Sequence, residues 1–300
     1  MRLVYYLVLL PLSRLPYFIL YFLSDVMYVV LYKVLSYRQK VVRTNLVNSF
    51  PEKSKAEIKA IETKFYRHFC DLIVESIKAF SITKEEVNKC ISFKNPEVMN
   101  KFADQGKDVV LVGGHYNNWE IFAVAIDEPI SFQPIALFTP LTNAFMNEKI
   151  TSSRSKYGLW MKRYPEVKEI FTTQKDLRKT VIFGTDQCPK RHQRPHWMEF
   201  LNQETGVQFG SEKFAKDNDL PVIYAVIQKV KRGVYEIEAQ VVCENPRELP
   251  HGKITEMHTK MLEDDIKADP AYWLWTHKRW KRKKSDFINQ EEETITTDGN

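Results

Sequence analysis

The sequence predicts an α/β fold, a mixed sheet flanked by helices, with an apolar N-terminal helix ahead of it. Three observations carry this reading. Short β-branched and aliphatic runs alternate with longer stretches of helical periodicity. Two of the runs, Val222 to Val230 and Val234 to Val242, are separated only by Lys231-Arg232-Gly233 and read as a hairpin. Leu3 to Leu35 is the most apolar stretch, dense in Tyr and Phe and broken only by Arg14, Asp25 and Lys33.

Taken in order, Leu3 to Leu12 lacks a following small-x-small cleavage site, so it does not read as a signal peptide. Tyr17 to Leu35 is about long enough to cross a bilayer, although Asp25 near its middle would be costly against lipid. This stretch is expected to span the membrane or lie in its interface. Arg38, Lys40 and Arg43 follow it, where cytoplasmic flanking charge is expected. Ser54 to Phe80 has Ile58, Ile61, Phe65, Phe69, Leu72 and Ile77 on one helical face, with His68 and Glu75 expected to be solvated or locally bonded.

Val109 to Val112 is the first clear strand, and Ile135 to Phe138 and Val181 to Phe183 read as others. Thr142 to Lys156, Ser211 to Asp217 and Ile254 to Ile266 read as helices. Parallel strands alternating with helices place reactive residues where strands end, as His115 and Asp186 do. The expected organisation is an anchor over 1–35, one domain over 36–284, and a polar, acidic, disordered tail over 285–300.

Composition narrows the function. With 44 basic against 38 acidic residues the net charge is +6, and six of the basic residues fall within Lys278 to Lys284. The rest of the chain is balanced, which does not resemble a nucleic-acid footprint. The four cysteines are scattered, with no C-x-x-C pair, so neither a disulfide framework nor a redox motif is indicated. Cys188, His192 and His196 have ligand-like spacing. They lack a second ligand pair, and Pro189 and Pro195 disfavour one helix, so no metal is expected. H-E-x-x-H, G-x-S-x-G and G-x-G-x-x-G are all absent.

The chemistry gathers at Gly113-Gly114-His115-Tyr116-Asn117-Asn118-Trp119-Glu120. Two glycines end the strand, His115 follows, and Asn117 or Asn118 caps a helix carrying Glu120. Within one continuous helix, five steps of about 100° would set His115 and Glu120 roughly 140° apart. With the histidine on the turn, the two side chains can converge. A carboxylate on one imidazole nitrogen fixes the tautomer and makes the other nitrogen a base. From His115 and Glu120 alone, a structural histidine beside a helix-capping glutamate is the favoured reading, and the Gly-Gly turn after an apolar strand narrows the difference without settling it.

This segment resembles the His-x4-Asp/Glu box of glycerolipid acyltransferases. More closely, it is similar to the glutamate form in the bacterial lipid A biosynthesis (late, lauroyl/myristoyl-type) acyltransferases. Further segments match in the family's order: Arg43-Thr44-Asn45-Leu46 before Phe50-Pro51-Glu52, Arg154 before Gly158, Gly184-Thr185-Asp186-Gln187, and Trp273-Leu274-Trp275-Thr276-His277-Lys278-Arg279-Trp280. The resemblance implies that His115 deprotonates an acceptor hydroxyl while Glu120 orients the ring. It places Asn118, Arg154, Asp186 and Gln187 in substrate binding, Arg154 on an oxyanion or a phosphate. It implies a thioester donor on acyl-carrier protein or CoA, a lipid A precursor as acceptor, no cofactor, and a location on the cytoplasmic face of the bacterial inner membrane.

After Gln187 the chain departs from the family. The usual glycine-rich, Phe-Phe-Gly segment is replaced by Cys188 to Gly210, which leaves acyl chain and acceptor open. Two rivals stand beside this reading. One is O-acylation of another lipid, amino-acid-linked or a lysophospholipid. The other is a non-catalytic membrane protein that binds acidic partners through Lys278 to Lys284.

Overall fold

The structure, a computed structural model, describes residues 1–191 and 193–287. The expected tail therefore lies outside the described residues from 288 onward, as does His192 of the metal-like spacing.

The central feature is a seven-stranded mixed sheet in the order β1-β9-β8-β2-β5-β3-β4. Its strands are β1 (Ile91–Phe93), β2 (Val109–Gly113), β3 (Gln133–Leu137), β4 (Trp160–Lys162), β5 (Lys179–Gly184), β8 (Val222–Lys231) and β9 (Val234–Cys243). β6 (His196–Phe200) and β7 (Gln203–Val207) form a separate antiparallel ribbon. Every pairing in the large sheet is parallel except the β8–β9 hairpin. The fold is α/β with a mixed sheet, as expected. β2, at the centre, is buried at Val109, Val110, Leu111 and Val112, which explains its unbroken aliphatic run.

The long helix is Lys55–Lys78, opened by a capping box in which Ser54 and Glu57 satisfy each other's backbone amides. The N-terminal stretch forms two helices, Arg2–Ser13 and Tyr17–Val34, divided near Pro16. The second is long and apolar enough to cross a membrane by length and composition. It is not free of the domain. Tyr28 and Tyr32 belong to the same core cluster as Val42, Phe65 and Trp275. Its polar residues also face the domain: Ser24 Oγ donates to Asp71 (2.7 Å), and Asp25 pairs with Arg232 (2.7 Å). The Asp25 that looks costly in the sequence thus has its partner on the β8–β9 turn. Phe18, Phe22, Val26, Val29, Val30 and Val34 remain exposed on this helix.

The expectation for His68 and Glu75 is corrected. Both are buried, at 3% and 1% exposure, within a polar network under the N-terminal helix. The segment Ser36 to Ser49, read only as basic and polar, contains the helix Gln39–Ser49, which buries Val42, Asn45 and Leu46.

Candidate active site

The site is set by strand register. β2 and β5 run parallel with Gly113 opposite Gly184. Two residues beyond each glycine stand His115 and Asp186, so neighbouring strands deliver both side chains to the same edge of the sheet. There His115 Nδ1 lies 2.6 Å from Asp186 Oδ1. The His115 backbone N–H donates to Asp186 Oδ2 at 2.8 Å, and so does the Trp273 indole N–H, also at 2.8 Å. Trp273 is placed by the 270–273 segment, whose Tyr272 carbonyl accepts from the Asn117 amide at 3.0 Å.

The glycines are needed for space. A Cβ on Gly113 would come within 2.9 Å of the Ala225 carbonyl oxygen. One on Gly114 would lie 2.7 Å from both methyls of Leu262 and 3.3 Å from Asp186 Oδ2. The left-handed residue of the turn is instead Asn117, at φ 56°. It holds that conformation with its amide donating to the Ile227 carbonyl (2.7 Å) and its backbone tied to Tyr272.

An ionised carboxylate only accepts, so Nδ1 carries the ring proton and Nε2 presents a lone pair. Gln187 Nε2 lies 3.2 Å from that nitrogen and donates to it. Burial disfavours the charged imidazole, but the charge and hydrogen bond of Asp186, with Glu120 behind them, outweigh it and raise the His115 pKa above its usual value. Burial pushes the Asp186 carboxyl the other way, yet His115 and the donated bonds from His115 and Trp273 hold it well below the ordinary carboxylate range. The two shifts agree in sense, as in one tightly coupled pair.

Glu120 is not the ring's partner, which corrects the expected His115–Glu120 dyad. Its carboxylate is gripped bidentately by Arg154, with Nε to Oε2 at 2.8 Å and Nη2 to Oε1 at 2.5 Å. The Trp119 indole N–H adds a bond to Oε1 at 3.2 Å. The indole of Trp119 packs edge-on against His115, ring centres 5.0 Å apart. Among the described residues Glu120 therefore makes no hydrogen bond to the His115 ring, and its charge adds to that of Asp186 in raising the imidazole pKa. Arg154, expected on an oxyanion or phosphate, is charge-paired but remains on the cavity lining.

Asn118 is 1% exposed. Its Oδ1 caps Ile121 N–H at 2.9 Å, and its Nδ2 donates to Glu75 at 2.6 Å. Both amide atoms are thus engaged inside the protein rather than toward a substrate. Of the expected substrate residues, Asp186 holds the imidazole and Gln187 covers its free nitrogen. Sequence reasoning missed the His115–Asp186 pairing. Its signal was present in Val-Gly-Gly-His and Phe-Gly-Thr-Asp, two strand ends with the same offset from glycine to polar side chain.

Beside the imidazole lies a cavity of about 180 Å³. Leu111, Phe122, Leu137, Leu159, Met161 and Ile182 supply apolar lining, and His115 and Arg154 its polar part. The cavity is thus mostly apolar, with an imidazole and a guanidinium among its lining groups. Fold and site together define a class: α/β proteins with a carboxylate-held imidazole at the ends of parallel strands, opening on an apolar cavity. Within it, the chain belongs to the bacterial lipid A biosynthesis acyltransferase family, whose model matches residues 2–282. The family is one of acyltransferases. No curated protein matches the chain.

The basic run is divided in the fold. Arg279 is buried, its Nη2 donating to the Gly206 carbonyl at 2.8 Å, and burial lowers its pKa to about 10. Lys278, Lys281, Lys283 and Lys284 are exposed. Arg282 is half-buried, so those four are the fully exposed basic residues of the run.

Proposed function

We propose that the protein transfers a fatty acyl chain from an acyl-carrier-protein or CoA thioester to a hydroxyl of a lipid A precursor. The observation that carries this reading is the unprotonated Nε2 of an Asp186-held His115, covered by the exchangeable amide of Gln187 and set beside an apolar cavity. The acceptor hydroxyl displaces the Gln187 amide from Nε2 and gives its proton to the ring. Its oxygen attacks the thioester carbonyl, and the oxyanion forms against the Arg154 guanidinium. Asp186 stabilises the imidazolium so formed. Collapse breaks the carbon–sulfur bond, the imidazolium protonates the departing thiolate, and the ester leaves with its new acyl chain.

The same reading places the protein on the cytoplasmic face of the inner membrane. The apolar residues left exposed on Tyr17–Val34 meet lipid, and the four lysines face anionic headgroups or a carrier protein. Because Ser24 and Asp25 are bonded to the domain, the helix lies along the interface with the domain attached rather than crossing alone. Lipid mass spectrometry of membranes with and without the protein tests the function. The expected result is a lipid A species heavier by one acyl group, absent when His115→Ala replaces the wild type. An unchanged lipid A profile with a new acylated phospholipid or amino-acid lipid would move the acceptor elsewhere.

A further inference from the structure

We infer that Glu75, far from His115 in sequence, is a positioning residue that ties the N-terminal helix to the active-site turn; this rests on the acyl-transfer reading above. Glu75 sits on Lys55–Lys78 at 1% exposure, and three donors converge on its carboxylate. Tyr21 Oη of the N-terminal helix donates to Oε1 at 2.8 Å. Tyr235 Oη donates to Oε2 at 2.7 Å, and Asn118 Nδ2 to the same oxygen at 2.6 Å. Asn118 in turn caps Ile121, opening the helix that carries Glu120, and stands three residues after His115. Two hydrogen bonds through one carboxylate therefore join a membrane-facing helix to the turn that carries the base.

The neighbouring turn residue, Asn117, is held at φ 56° and has a buried Oδ1 with no hydrogen-bond partner among the described residues. A turn in that conformation persists only when its surroundings fix it. Asn117 is clamped to β8 and Asn118 to Glu75, so the two asparagines pin the turn at two separate points. The acceptor oxygen at the Oε2 position of Glu75 is the member that cannot be dispensed with. Asn118 cannot flip, because its oxygen is committed to Ile121, so it needs an acceptor at Oε2. Burial raises the Glu75 pKa, while the hydroxyls of Tyr235 and Tyr21 oppose the rise.

The geometry distinguishes two substitutions. In Glu75→Gln the amide oxygen takes the Oε2 place and the NH2 donates to Tyr21, whose hydroxyl can reverse its role. Glu75→Ala leaves the Asn118 amide without an acceptor. A misplacement of the turn by about 1 Å is enough to lower turnover on the order of 100-fold. The test uses the full-length protein in detergent micelles or vesicles with an acyl-carrier-protein donor. Glu75→Ala is expected to lose 10- to 100-fold in kcat with KM for the donor nearly unchanged. Glu75→Gln is expected to stay within about threefold of wild type, and Tyr21→Phe to lose about 3- to 10-fold.

The deciding arm is a cycle. Tyr21→Phe should cost nothing further in an Asn118→Ala background, because the link it acts through is already cut. Hydrogen exchange supplies a readout free of activity: amides over 115–121 should exchange faster in Glu75→Ala and Tyr21→Phe, and not in Glu75→Gln. Additive kcat losses, or unchanged exchange over 115–121, would overturn the link. If wild type transfers acyl groups and His115→Ala does not, such a result removes the Glu75 role alone. If His115→Ala is as active as wild type, the acyl-transfer reading itself fails, and the Glu75 role with it.

Discussion

Asp186→Asn isolates the role the structure gives that carboxylate. Oδ2 accepts two protons, from His115 N–H and the Trp273 indole, whereas Oδ1 meets only His115 Nδ1. In the variant the amide oxygen must therefore take the Oδ2 place. The reversed orientation would set an NH2 against two buried donors, at about 1–3 kcal/mol each. That leaves the asparagine NH2 facing Nδ1. The ring must then accept at Nδ1 and carry its proton on Nε2, where the lone pair is needed. The base is lost without any change of shape. The same carboxylate-to-amide change in a Ser-His-Asp hydrolase lowers kcat on the order of 10⁴-fold for this tautomeric reason. A loss of that order, about 5 kcal/mol of barrier, is expected here. Steady-state transfer assays measure it, and nitrogen-15 NMR of the imidazole reports the tautomer directly. Glu120→Gln, which disturbs the Arg154 pair, the Trp119 indole bond and a charge but no bond to the ring, should fall much less far. Asp186→Asn activity within tenfold of wild type, or a larger loss in Glu120→Gln, would refute the assignment of Asp186 as the ring's partner.

Three further outcomes are expected. Gly114→Ala should be destabilised and slow, because its Cβ would press on Leu262 and Asp186; Leu262→Ala in the same chain should restore part of both in thermal melts and transfer assays. Changing Lys278, Lys281, Lys283 and Lys284 to Gln should raise KM for an anionic partner and flatten its salt dependence, leaving kcat alone, whereas including Arg279 should lower the melting temperature. The His115–Asp186 pair should stabilise the fold most between about pH 4 and 6.5. The depressed Asp186 pKa makes its contribution fade as pH falls below the usual carboxylate value, and the raised His115 pKa makes the pair's contribution fade as pH climbs through it. Denaturant titrations of wild type against Asp186→Asn across pH 3–9 read this directly. Activity should follow the opposite slope on that side, rising as His115 loses its proton.

The elements with strong local signals were legible in the sequence. Val109–Gly113, the β8–β9 hairpin and the Lys55–Lys78 helix fall where the aliphatic run, the Lys231-Arg232-Gly233 turn and the helical periodicity put them. The short pieces were not: Ile91–Phe93 and Trp160–Lys162 are three residues each, too brief to show a period, and are held by pairing to β9 and β3. At the site, the residue types and the turn were legible, but the partnership was not. His115 and Glu120 are close in sequence, and Asp186 becomes the nearer carboxylate only through the β2–β5 register. Glu75 looked like one more polar position on a long helix. Its burial is decided by Tyr21, Asn118 and Tyr235, each from a different element. Long-range pairing of this kind leaves no mark in local periodicity.

The proposed reaction is acyl transfer from a thioester to a lipid hydroxyl, with His115 as the base that deprotonates that hydroxyl. Its most direct test is single-turnover transfer by purified protein, with lauroyl- or myristoyl-carrier protein as donor and a lipid A precursor as acceptor, followed by mass spectrometry of the lipid. Wild type is expected to give one new ester and one equivalent of free thiol, and His115→Ala neither above background. Equal ester formation by His115→Ala, in a chain whose fold and membrane binding match wild type, would contradict the account.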